Sequence, residues 1–158
     1  KFAFIEIGNL MNSFQRMTQE PKSKQKQLPQ LYKLVELNYS LVSSSASLGT
    51  YIQTHKTTKA SEAFNVVVDA ALKNLNVAME TLNASAKKPV EPFTKIDLEV
   101  RFMELKNIRS KEIRANSATE EEFQQKMQEA QLVIEQLIWL SNLSESILKA
   151  SRKLVYED

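Results

Sequence analysis

The sequence predicts an all-α fold: an antiparallel helical bundle of about five helices that ends in one long helix. Three observations carry that expectation. Apolar residues recur at steps of three and four through most of the chain, the spacing that gathers them on one side of a helix. The four prolines, Pro21, Pro29, Pro89 and Pro92, stand at helix starts or breaks, where a missing amide donor costs least. Thr119 followed by Glu122 has the form of a capping box and marks a helix start.

Composition agrees with one ordinary core. At 158 residues, 42% hydrophobic and 25% charged, the chain fits a single domain spanning 1–158. A formal net charge of +2 is too balanced to argue for nucleic acid, which asks for a concentrated basic face. The absence of cysteine removes disulfides, thiolate nucleophiles and sulfur-ligated zinc, and is in keeping with a reducing compartment. No stretch approaches the ~20 consecutive apolar residues of a membrane span, and no signal sequence opens the chain.

The first helix begins at once on Phe2, Phe4, Ile5 and Ile7 with no capping residue, which reads as a fragment excised from a larger protein. Its expected apolar face is Ala3, Ile7, Leu10, Phe14 and Met17, and Pro21 closes it. A basic turn with Lys22, Lys24 and Lys26 follows. The second helix, from about Pro29 to Thr54, turns Leu31, Leu34, Val35, Leu41, Val42, Leu48 and Ile52 inward. Its small residues, Ser43 to Ser47 and Gly49, are expected to admit a close neighbour. The third, from about Thr58 to Ala84, carries a seam of Ala60, Phe64, Val67, Ala71, Leu75, Ala78 and Leu82, and is expected to form a hairpin with the second.

Two prolines within residues 86–94 oppose helix and break the bundle there. The fourth helix, about Ile96 to Ala115, has only a narrow stripe of Leu98, Phe102, Leu105 and Ile108 and belongs on the outside. The fifth, about Thr119 to Lys153, is long enough to be the central strut. Its middle, residues 132–140, is apolar on nearly every side, which asks for burial on several faces or an oligomer contact. Ile138 and Trp139 are the candidate oligomer or partner contacts.

Catalytic chemistry finds no footing. A carboxylate-bridged metal site in a bundle needs inward glutamates with Glu-x-x-His pairs, and the only histidine, His55, stands near a helix end beside Lys56. It reads as an exposed or capping side chain. The serines at 43–45 and at Ser141, Ser144 and Ser146 sit at helical packing spacings with no activating base. Without a glycine-rich loop there is no phosphate cradle, and no metal or cofactor is expected. Asp69 and Glu36 fall on polar faces. Asn38 lies on the inward stripe, where an unpaired amide would cost roughly 1–3 kcal/mol, so it needs a partner: a bond fixing helix register, or a ligand. A pocket near Asn38, Tyr39 and Tyr51 is the remaining place for a small molecule.

The segment FQRMTQEPKSKQ, residues 14 to 25, joins a helix end to a lysine-rich turn in an order that turn chemistry alone does not demand. Together with residues 1–13 and 31–52 it resembles the soluble region that follows a membrane half in the YccS-like branch of the fusaric acid resistance (FUSC) family. The resemblance covers about the first third of the chain. It implies the cytoplasmic domain of an inner-membrane protein related to aromatic acid exporters, serving assembly or regulation, with the membrane half of the same polypeptide as partner; a homo-oligomer is the further partner that the apolar middle of the fifth helix leaves open. A free-standing helical adaptor is the alternative.

In that setting Lys22, Lys24 and Lys26 become candidate membrane or interdomain contacts, each worth about 1 kcal/mol against anionic lipid. A first helix running straight from the membrane would hold them roughly 25–30 Å away, beyond a Debye length of about 8 Å. Lipid contact then requires a tilted helix or a folded-back bundle.

Overall fold

A computed structural model describes residues 2–25, 27–54, 62–83 and 98–156. They form five helices: α1 (Phe2–Thr18), α2 (Leu28–Thr54), α3 (Glu62–Asn83), α4 (Leu98–Ala115) and α5 (Glu120–Tyr156), with a short 3-10 turn at Lys22–Lys24. The fold is all-α, and its last helix, 37 residues, is about 55 Å long at 1.5 Å per residue. His55, Lys26 and the proline segment 86–94 lie outside the described residues.

α5 is the strut on which α2, α3 and α4 pack. Its second half meets Leu34 and Leu37 of α2 and Ala78 of α3 through Leu143, Ile147 and Leu148, all 8% exposed or less. Its first half meets Val67 of α3 and Leu105 of α4 through Ile134, with Phe64, Phe102 and Ile138 packed around them. Directions follow from these pairings. Rising numbers on α3 meet rising numbers on α5, so the two run parallel, whereas Arg114 reaching Glu120 folds α4 back against α5. Ser44 opposite Trp139, with Leu34 and Leu37 beside Ile147, sets α2 antiparallel to α5.

The expected hairpin of the second and third helices therefore takes another form. α2 and α3 run in opposite directions, yet no Cα pair between them comes within 8 Å among the described residues. Leu143, Ile147 and Leu148 of α5 join both helices in one core, so each packs on α5. α2 is covered on a second side by α1, which touches no other helix among the described residues.

The motif at residues 14–25 fastens α1 to α2. Phe14 packs on Tyr32 with ring centroids 5.7 Å apart. The Gln25 side-chain amide donates to the carbonyls of Thr18 (2.9 Å) and Glu20 (2.7 Å), acceptors that the end of a helix leaves without an internal partner. Glutamine at the close of EPKSKQ is thus a C-terminal clamp for α1, and Pro21, extended at ψ 142°, turns the chain so that it can reach back.

At the turn into α5 the capping box forms. Thr119 Oγ1 accepts from the Glu122 amide (3.2 Å), and Glu122 reaches back one residue further than the usual box, to the Ala118 amide (2.9 Å). Arg114 closes the corner with an ion pair to Glu120 (2.6 Å) and its guanidinium 3.7 Å from the centre of the Phe123 ring. The Lys126 ammonium and then the Ala118 amide hold the Glu122 carboxyl below its usual range; Gln124 and then Arg114 do so for Glu120. Depressed carboxylates stabilise the fold above the ordinary value of about 4.3, and their contribution is lost as pH falls through the lowered one. Both groups are solvent-exposed, so the core carries the stability.

Candidate functional site

Among the described residues no group of three or more His, Cys, Asp or Glu is placed to hold a metal ion. No helix among them is long and apolar enough to cross a membrane. The pocket expected near Asn38, Tyr39 and Tyr51 does not assemble. Successive helical residues point about 100° apart, so Asn38 and Tyr39 diverge, and Tyr51 lies more than three turns further along α2. Asn38 gives its amide to the Leu34 carbonyl one turn back (2.8 Å), so its partner is its own helix and not a neighbour. Tyr39 is exposed. Burial and then the negative charge of Glu129 push the Tyr51 phenol above its ordinary range.

A buried polar contact that does fix one helix against another lies elsewhere. Asn74 of α3, 6% exposed, donates its amide to the hydroxyl of the fully buried Ser144 of α5 at 3.1 Å, and Ser144 donates onward to the Ser141 carbonyl (2.7 Å). Seven residues on from Asn74 and from Ser144 stand Thr81 and Ser151, both buried. Seven residues return to the same side of a helix, so a seam of small and polar groups runs along the α3–α5 contact, the most extensive in the bundle. Ser141 and Ser144 thus pack as their spacing predicts, and of the small-residue cluster of α2 Ser44 meets Trp139 of α5. Ser45 and Ser47 are exposed, and a β-carbon added at Gly49 would meet nothing within 4 Å. A small residue permits close approach but does not compel it.

The surface features that remain are apolar. α1 leaves Phe2 (83%), Phe4, Ile5, Leu10 and Met11 exposed, because α2 covers chiefly Ile7, Phe14 and Met17. Ala3 and Leu10, expected to face inward, are outside that contact. Of the two residues expected at a partner surface, Ile138 packs beside Val67, Leu105 and Ile134, while Trp139 is 50% exposed. The Trp139 indole N–H donates to the Ser44 hydroxyl at 3.1 Å, tying α5 to α2. Leu132, on the same side of α5 two turns earlier, is 55% exposed. Lys22 is exposed in its turn. Lys24 falls in the same turn.

Comparison with family models, curated proteins and solved structures finds no match to this chain. A reading of function therefore rests on the surfaces just described and on the sequence motif at residues 14–25.

Proposed function

We propose that this chain is the cytoplasmic domain of a FUSC/YccS-like inner-membrane transporter of small organic or aromatic acids. It serves assembly or regulation of the membrane half and is not an enzyme. The observation that carries the reading is α1. Among the described residues the helix packs on α2 alone, and it leaves Phe2, Phe4, Ile5, Leu10 and Met11 between 39% and 83% exposed. Exposed apolar side chains gathered on one helix mark a surface meant for protein or membrane. The FQRMTQEPKSKQ motif, in which Phe14 and Gln25 fasten that helix to the bundle, points to the membrane half of the same polypeptide as what covers it. Lys22 and Lys24, in the turn at the end of α1, and Lys26 after them in the sequence then serve as interdomain or anionic-lipid contacts, and the site of transport lies outside this domain.

The test is the natural gene product. The proposal expects several spans of about 20 apolar residues in the same polypeptide, and a protein that stays with membranes through alkaline washing. A product without spans, released by such washing, would sink the proposal and leave a free-standing helical adaptor that uses the same exposed apolar side chains for a soluble partner.

A further inference from the structure

We propose that α1 and its turn are a hinged arm, which lifts from α2 about Gln27 while the core along α5 stays folded. The proposal goes beyond the membrane-domain reading and does not rest on it, since it concerns only how this chain holds its own first helix.

Three observations place the hinge. The contact between α1 and α2 is apart from the main core: α1 meets no other helix among the described residues, and Ile7 is its one buried side chain. Neither Ile7 nor Val35, buried on α2 three residues on from Tyr32, belongs to the core clusters along α5. Next, Gln25 binds the Thr18 and Glu20 carbonyls, so the turn is tied to the end of α1 and moves with it. The pivot therefore falls after Gln25. There Gln27 begins α2, its carbonyl accepting from the Leu31 amide at 3.1 Å. Its φ of 54° is left-handed, the only positive φ among the described residues, and in that conformation an L side chain crowds the following carbonyl. The strain belongs to the docked form and is released when the chain swings at Gln27.

The arm gives the chain two forms. In the docked one Phe14 packs on Tyr32 and Ile7 is buried; in the open one both are free. A partner that grips α1 more tightly with those side chains free shifts the balance toward the open form, by as much as its affinities for the two forms differ. Whatever covers α1 thereby acts on the bundle without touching its core.

Hydrogen exchange of single amides in the chain is the experiment. A helix of 17 residues without its support is marginal in water, so its amides exchange when it lifts. The amides of Ile7 and Leu10 are expected to exchange at least about a hundredfold faster than those of Ile147 and Leu148, which wait for global unfolding. Leu148→Ala weakens the docked and open forms alike, so exchange at Ile147 should rise at least about tenfold while that at Ile7 stays unchanged. Should that variant not fold, Ile147→Val is a smaller loss in the same core, and the same contrast is read between Leu143 and Ile7. At the pivot, Asn tolerates the left-handed conformation and β-branched Val does not. Gln27→Asn should therefore slow exchange at Ile7, and Gln27→Val should speed it about tenfold. Equal exchange at Ile7 and Ile147 in the native chain overturns the proposal. So does a core variant that speeds both alike, or exchange at Ile7 that neither Gln27 variant moves.

Discussion

Ser144→Leu is expected to destabilise the chain by about 3–5 kcal/mol, enough to remove most of the margin of a domain of this size. Ser144 is fully buried where α3 meets α5, so the larger side chain has no room without prying the two helices apart. The substitution also takes away the acceptor of the Asn74 amide, itself buried. Two companion changes separate these causes. Ser144→Ala keeps the space but leaves the buried Asn74 amide without its acceptor, so it should cost about 1–3 kcal/mol. Ser151→Ala should be neutral or mildly stabilising, because the buried Ser151 hydroxyl has no hydrogen-bond partner among the described residues to lose. Thermal and denaturant unfolding of the three variants checks the order. If Ser144→Leu were as mild as Ser151→Ala, the parallel packing of α3 on α5 would be wrong.

Leu148→Ala is expected to cost about 2–5 kcal/mol, or roughly 10 °C in melting temperature. Leu148 is 2% exposed in the cluster that joins α2, α3 and α5, so its loss leaves a cavity bordered by three helices. Leu72→Ala on α3, where the side chain is 53% exposed, should change stability by less than about 0.5 kcal/mol. Equal effects at the two positions would mean that the core does not lie along the second half of α5.

Local chemistry was the most legible part of this fold. Thr119 and Glu122 announce the start of α5 because both halves of the capping box lie within four residues, and Pro21 announces the end of α1 in the same way. What escaped was long-range. Leu37, three residues on from Leu34, is buried with it in the core against α5, a position the expected inward stripe left out. Leu82, read as part of the α3 seam, is 46% exposed near the end of its helix, while the buried seam there is polar, Asn74 and Thr81. A signal for that seam exists: a seven-residue step from Asn74 to Thr81 matches the step from Ser144 to Ser151. Recognising it requires knowing that these two helices are neighbours.

The same limit governs the candidate surfaces. Residues 132–140 announced more apolar surface than one neighbour buries, but not that Ile138 turns inward and Trp139 toward Ser44. Periodicity ranks α1 as an ordinary amphipathic helix. That Phe4, Ile5 and Met11 lie beyond the reach of α2 depends on how far one helix can cover another, which spacing does not state.

The central claim is that the exposed apolar side chains of α1 are covered by the membrane half of the same polypeptide. The chain has no cysteine, so Met11→Cys places a single thiol among them, at a position 46% exposed. The measurement is its rate of reaction with a membrane-impermeant maleimide, read at position 11 by mass spectrometry, in the isolated domain and in the full natural protein in opened membranes. At least tenfold slower labelling in the full protein is the predicted result. Equal rates in the two would contradict it, leaving α1 uncovered in the natural protein.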